Sequence, residues 1–265
     1  MNGKLQEPIL SVSGLTVDVA ADSGTIRILD DISLQVRSGS VLGIVGESGS
    51  GKSMTCLACM GLLPPGAAAV KGSIALAGRE LLSLSPADRR RLRGSRLSIV
   101  MQNPMASFNP IRTIGNHFAE TIRAHTAIRR KDAWEQAVLH LERIGLPRPA
   151  ELMKMRPYQL SGGMLQRVMI AIALSSGPDV LFADEPTTAL DLASQRHVLG
   201  ELEQLCRSEG TALVIVTHDL GVIAELADEV AVIHRGRIVE SAGVYQLFDR
   251  PQHPYTKLLL ETRIG

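Results

Sequence analysis

Apolar and polar positions alternate with period two through the first forty residues: Ile9-Leu10-Ser11-Val12-Ser13, Leu15-Thr16-Val17-Asp18-Val19 and Ile32-Ser33-Leu34-Gln35-Val36. Turn signals at Asp22-Ser23-Gly24 and Arg37-Ser38-Gly39 punctuate these runs, and the pattern predicts antiparallel strands. Val41-Leu42-Gly43-Ile44-Val45 is apolar throughout, as a strand covered on both faces should be. Between Asn103 and Tyr158 the period lengthens to three and four. Helices are predicted over Ile114 to Ala124 and Lys131 to Ile144, with Gly145-Leu146-Pro147 as a stop. From Val168 onwards helical segments alternate with apolar runs: Val180 to Ala183, a helix from about Leu192 to Cys206, then Ala212 to Val216. That alternation predicts a parallel sheet covered by helices. Val230 to Ile233 and Arg237 to Glu240, joined through Arg235-Gly236, read as a hairpin.

Composition narrows the class. With 265 residues, 45% hydrophobic and 21% charged, the chain can bury the core of one domain, or of one domain with a subdomain. A net charge of +1 supplies no global field to draw nucleic acid, and none is expected as a partner. The local run Arg89-Arg90-Arg91-Leu92-Arg93 reads as a solvated helix end before a strand. No apolar run reaches the roughly 18 residues of a membrane span, and Met1 to Glu7 lacks the apolar stretch of a signal peptide. The expectation is a soluble cytoplasmic protein, free to sit on a membrane partner. Cys56, Cys59 and Cys206 are too few for a disulfide scaffold. Cys56 and Cys59 form a C-x-x-C without a second Cys/His pair nearby, and they read as small core residues on one helical face.

The chemistry begins at Gly46-Glu47-Ser48-Gly49-Ser50-Gly51-Lys52-Ser53, which fits G-x-x-x-x-G-K-[ST] between a buried strand and a helix. Glycines let the backbone wrap phosphates, Lys52 neutralises the outer phosphate charge and Ser53 offers a hydroxyl to Mg²⁺. Phe182-Ala183-Asp184-Glu185 ends another apolar strand in two carboxylates. Strands of such sheets deliver their C-terminal ends to one crevice, which places Asp184 within reach of the metal and Glu185 where it could polarise a water. Leu160-Ser161-Gly162-Gly163-Met164-Leu165-Gln166-Arg167 is a second small-residue turn entering a helix, able to offer free N–H groups to a phosphate. Two phosphate-binding ends with one complete nucleotide site suggest that the second end serves a neighbour's nucleotide.

These elements, with Gln102 after Leu97-Ser98-Ile99-Val100, Pro186-Thr187-Thr188 after the acidic pair, then Ala189-Leu190-Asp191 and Val216-Thr217-His218-Asp219, resemble the ATP-binding subunits of ABC transporters over almost the whole chain. The resemblance implies an α/β P-loop NTPase (RecA-like) fold: a parallel-sheet core with an N-terminal antiparallel β subdomain and an inserted α-helical subdomain. Residues 1–265 would form a single ATP-binding domain, with core segments 1–102 and 168–248, a helical signature subdomain 103–167 and a C-terminal tail 249–265. It implies ATP and Mg²⁺ as cofactors, with the metal at Ser53, Gln102 and Asp184. It further implies Glu185, His218 and Gln102 as catalytic residues, Ser161, Gly162 and Gly163 as ligands of the opposing subunit's γ-phosphate, and Asp191 in a loop across the dimer seam. The implied partners are two transmembrane permease subunits, a second ATP-binding subunit (paralogue or self) and, indirectly, an extracytoplasmic substrate-binding protein. The implied location is the cytoplasmic face of the inner membrane. Physically, such a dimer assembles its phosphoryl-transfer electrostatics only when two domains close on ATP.

Asn103-Pro104-Met105-Ala106-Ser107-Phe108-Asn109-Pro110 and Pro251-Gln252-His253-Pro254-Tyr255-Thr256 look like the peptide/nickel/opine importer group. The ending Gly163-Met164-Leu165-Gln166-Arg167 tilts the reading toward the nickel-import subunits, so nickel or a nickel-chelate is the expected cargo, with dipeptides or oligopeptides as the alternative. His117, His125, His140, His197, His234 and His253 form no i, i+4 pair, and Met153, Met155 and Met169 read as core filler, so this subunit is not expected to bind the cargo metal. Many family members carry an aromatic residue before the P-loop to stack on adenine. No Phe, Trp or Tyr precedes Phe108 here, which leaves Val19 or Ile26 to pack the base and implies looser discrimination between ATP and GTP. No cysteine follows Cys206, so the iron–sulfur cluster of some peptide-importing relatives is not expected. A DNA-repair or chromosome-organising ATPase is the distant alternative. Such proteins interpose a long coiled coil, whereas Gln102 to Leu160 is short and shows no sustained heptads.

Overall fold

The computed structural model describes residues 7–21, 24–187 and 192–264. In chain order the strands and helices begin with β1 (Leu10–Ala21), β2 (Gly24–Val36), β3 (Val41–Val45), α1 (Lys52–Met60), β4 (Ala67–Leu76), β5 (Arg79–Glu80), α2 (Pro86–Leu92) and β6 (Leu97–Val100). A helical stretch follows: α3 (Pro104–Ser107), α4 (Ile114–His125), α5 (Arg130–Arg143), α6 (Pro149–Leu152) and α7 (Gly162–Leu174). The chain then alternates through β7 (Val180–Asp184), α8 (Leu192–Glu209), β8 (Ala212–Val216), α9 (Leu220–Leu226), β9 (Glu229–His234) and β10 (Arg237–Gly243), ending in α10 (Val244–Asp249) and α11 (Pro254–Ile264).

Two sheets organise the described residues. The smaller is antiparallel in the order β2-β1-β4-β5; the larger runs β10-β9-β3-β8-β7-β6, parallel except for the β9–β10 hairpin. The two early alternating runs of the sequence are one strand. Val12 pairs with Leu34 and Leu15 with Ile32, so Ser13 and Gly14 together face Ser33 in a bulge that returns the apolar side chains to the core.

Strands β3, β7 and β8 of the larger sheet are buried on both faces, which explains their unbroken apolar runs. Leu42, Ile44, Val180, Phe182, Val214 and Val216 point toward the antiparallel sheet, into a core shared with α1. Val41, Val45, Leu181, Ala183, Leu213 and Ile215 point the other way, into a core built with α4, α5, α7, α8 and α9. Cys56 and Cys59 are buried in the first core, Cys206 in the second. Period-four spacing places Ile114, Phe118 and Ile122 on one face of α4, and Ala133, Ala137 and Leu141 on one face of α5. The basic run falls on α2 and is not wholly solvated: Arg89 Nε donates to the Leu84 carbonyl, while Arg93 donates to the carbonyls of Met60 and Gly61.

Candidate active site

Strand β3 is buried along its whole length and feeds the Gly46–Gly51 loop directly into α1. The loop's curvature needs glycine at two places. Gly46 has φ +153°, and a Cβ there would lie 2.1 Å from the Ile233 carbonyl oxygen; Gly51 has φ +111°, and a Cβ would lie 2.7 Å from Leu29 Cδ2. Lys52, the first residue of α1, is buried, and its Nζ donates to the carbonyls of Gly46 (3.0 Å) and Glu47 (2.8 Å). Its ammonium thus rests inside the loop, where a phosphate's charge could replace those carbonyls.

Strand β7 pairs in parallel with β8, with Asp184 opposite Val216, so the two strands end side by side. Asp184 is 7% exposed, and its Oδ1 is buried without a hydrogen-bond partner among the described residues. Burial pushes its carboxyl above the ordinary value, against the Ser53 hydrogen bond and the Lys52 charge, and the Glu185 carboxylate adds to the rise. Glu185 turns out of the strand with φ +48°, a left-handed conformation that costs a non-glycine residue about 1 kcal/mol. Its N–H donates to Val216 O at 2.8 Å, and its Oε1 lies 2.8 Å from His218 Nδ1.

Ser48, Gly49, Gly51, Lys52, Ser53, Gln102, Asp184, Glu185 and His218 line one cleft of about 540 Å³. Gly46, Glu47 and Ser50 build the loop behind it. The expected second phosphate end does not line this cleft. Ser161 caps α7, its Oγ accepting from the Met164 N–H at 3.3 Å, so the first-turn N–H groups of Gly162 and Gly163 are the ones left to a ligand. Asp191, expected at a dimer seam, lies outside the described residues, as do Thr188, Ala189 and Leu190.

Residues 29–188 match the family model described as "ABC transporter". The oligopeptide transport ATP-binding protein AppD of Bacillus subtilis (strain 168) is 43% identical over 253 residues, covering 95% of this chain and 77% of the relative. The probable D,D-dipeptide transport ATP-binding protein DdpD of Escherichia coli (strain K12) is 40% identical over 258 residues, covering 97% and 79%. The chain belongs to the ABC transporter family. A solved ATP-binding cassette, in a dimeric post-hydrolysis state with ADP and Pi, shares the fold at a TM-score of 0.79 and 24% identity, covering 89% of this chain and 98% of that one. As an ABC-type ATPase the chain binds ATP and couples its hydrolysis to transport.

Within this ABC ATPase the donors that the cleft would offer a divalent ion are hard oxygens: the Ser53 hydroxyl, the Gln102 side-chain amide and Asp184, whose orphaned Oδ1 is the kind of buried group an ion would satisfy. The set fits Mg²⁺, which takes few protein ligands and completes its shell with substrate phosphate and water.

The sequence pattern assigned no site role to Ile28, Gln195 or Tyr255. Asp18 pairs with Arg27 and Val17 with Leu29, so Ile28 is the extra residue of a bulge and lines the cleft beside the P-loop. Val19 and Ile26, the expected base-packing residues, pair with each other and do not line it. Gln195 Nε2 donates to Asp219 Oδ2 at 3.1 Å, tying α8 to the turn that carries His218. Tyr255 reaches the P-loop from the C-terminal tail, its hydroxyl 3.0 Å from the Glu47 nitrogen.

Proposed function

We propose that the chain is the ATP-hydrolysing subunit of an ABC import complex, working at the cytoplasmic face of the membrane on two permease subunits. The observation that carries this reading is the convergence of Lys52, Asp184, Glu185 and His218 on one cleft while Ser161 lies off it. Glu185, hydrogen-bonded to His218, would accept a proton from an attacking water; His218 would orient that carboxylate and stand beside the γ-phosphate. Lys52 and the Gly46–Gly51 backbone bind the phosphates. Mg²⁺, held by Ser53, Asp184 and Gln102, would neutralise charge on the phosphate oxygens.

Ser161, Gly162 and Gly163 would complete the site of a second ATP-binding subunit, a copy or a paralogue, with Asp191 at the seam. Segment 103–167 would move with nucleotide state. A groove of about 440 Å³ next to Gln102, walled by Met101, Phe108, His117 and Met169, with Met105 and Ile111 exposed nearby, suits an apolar element of a permease. An extracytoplasmic binding protein would act only through those permeases.

The relatives favour peptides over nickel as cargo, since AppD and DdpD are named for oligopeptide and D,D-dipeptide transport. The signature residues that tilted the sequence reading toward nickel face inward: Leu165 and Gln166 are buried on α7, with Met164 partly so, and they set packing rather than cargo. Cells expressing the complete importer should take up a labelled dipeptide or oligopeptide and lose that uptake with Glu185→Gln. The same substitution should lower ATP turnover about 10²- to 10⁴-fold while ATP still stabilises a dimer. Wild-type turnover in the variant would overturn the general-base role; uptake of nickel without peptide would overturn the cargo.

A further inference from the structure

The Pro251–Thr256 motif has no place in the chemistry above, yet it touches the nucleotide site. Glu240 on β10 fixes the motif's backbone, its carboxylate oxygens accepting from the N–H groups of Gln252 (2.8 Å) and His253 (2.9 Å). His253 Nδ1 then accepts from the Tyr255 N–H at 3.2 Å, and Leu259 and Leu260 bury the following turn. Tyr255 is itself buried, its ring 3.9 Å from that of His234 (centroid to centroid, interplanar angle 32°). Its hydroxyl accepts from the Glu47 N–H. Glu47 is thereby held through its N–H by Tyr255, while its carbonyl accepts from Lys52.

We propose that Tyr255 is a positioning residue for the phosphate-binding loop, and that the C-terminal tail is a strut setting the chain's affinity for ATP. The inference rests on the nucleotide-site reading. Binding phosphate requires Lys52 to exchange the Gly46 and Glu47 carbonyls for phosphate oxygens, which frees one side of the loop. Tyr255 holds the other side through that exchange, so less of the loop must be ordered when ATP arrives. His234 holds the ring at the angle that aims the hydroxyl. A displacement of the tail would therefore be felt as weaker nucleotide binding.

Tyr255→Phe keeps the ring, its burial and its stacking, and removes only the hydroxyl. With the full chain, the Kd for a fluorescent ATP analogue and the KM for ATP should rise roughly 2- to 10-fold, the worth of one hydrogen bond. Turnover at saturation should stay within about twofold and Tm should fall by no more than about 2–4 °C, because one part-buried hydrogen bond is lost and core packing is unchanged. His234→Ala should shift Kd in the same direction and His234→Phe should restore it. Tyr245→Phe, at an exposed position of α10, is the control and should change nothing. An unchanged Kd in Tyr255→Phe overturns the inference, as does a larger fall in Tm with turnover and KM moving together. Failure of the wild-type chain to bind the analogue would instead sink the site assignment on which the inference stands.

Discussion

Among the described residues two helix ends are suited to phosphate, and they are built in opposite ways. At the start of α1 the cap is Gly51 without a side-chain bond, and the loop before it curls through glycines so that its backbone faces the cleft. The buried Lys52 and Asp184 surround that end with charge, and the exposed Ser53 adds a hydroxyl. At the start of α7 the cap is Ser161, whose hydroxyl is already committed to the Met164 N–H, and the end is exposed. No acidic or basic side chain stands in the first turn of either helix apart from Lys52. The first end can hold a polyphosphate by itself. The second offers a few oriented donors and a helix dipole, enough to recognise a phosphate that another protein already holds. On the proposed function, the difference would separate binding from closure.

That separation can be broken by paired substitutions. Lys52→Ala removes charge-assisted bonds and should weaken ATP binding by the isolated chain about 10- to 100-fold. Gly162→Asp should leave binding by the isolated chain intact and abolish ATP-driven pairing and hydrolysis, since a carboxylate would face the partner's phosphate. Titration of the analogue and size-exclusion chromatography with ATP measure the two effects; equal loss of binding in both variants would erase the distinction.

A smaller effect sharpens the electrostatic side. The folded chain raises the pKa of Asp184 above its ordinary value, chiefly through burial. Its contribution to stability is therefore fully present below the ordinary carboxylate value and lost as pH rises through the raised folded value. Asp184→Asn should accordingly raise the Tm of the nucleotide-free chain near neutral pH, by about 2–4 °C per kcal/mol relieved, and change it little in acid. Thermal scans at the two pH values check the sign, and the variant should lose Mg²⁺-dependent turnover.

The smallest expected effect concerns the base. Ile28 lines the cleft and would give adenine an aliphatic wall, so Ile28→Tyr should tighten ATP about 2- to 10-fold and widen the ATP/GTP ratio of turnover. An unchanged ratio would place the base elsewhere.

Much of this was legible in the sequence because the chemistry is local. The loop from Gly46 to Ser53 needs glycine, lysine and serine at fixed spacing, and the run Val180 to Asp184 announces a buried strand ending in acid. Helices α4 and α5 show their period because one face is core and the other water. Strand β4 was not visible. Its start, Ala67-Ala68-Ala69, has weak strand preference, and Gly72 interrupts the pattern, yet antiparallel pairing with β1 holds it. Ile28 was missed because a bulge shifts the face on which a strand residue appears, and the bulge exists only in the pairing. Tyr255 lies 208 positions from Glu47, and no periodicity relates residues so far apart.

The larger sheet sends apolar side chains to two cores, and this has a cost in information. Where one face of a strand meets water, hydrophobicity alone forbids a one-residue slip; where both faces are apolar, it does not. Alignment of β3 must then come from shape. Gly43 sits against Ile223, where an added Cβ would lie 2.8 Å from Ile223 Cδ1, so a slip that moved Leu42 or Ile44 to this place would collide with α9. A missing side chain in the middle of the sheet thus acts as an index mark: by fixing how far β3 advances, it fixes where the phosphate-binding loop begins.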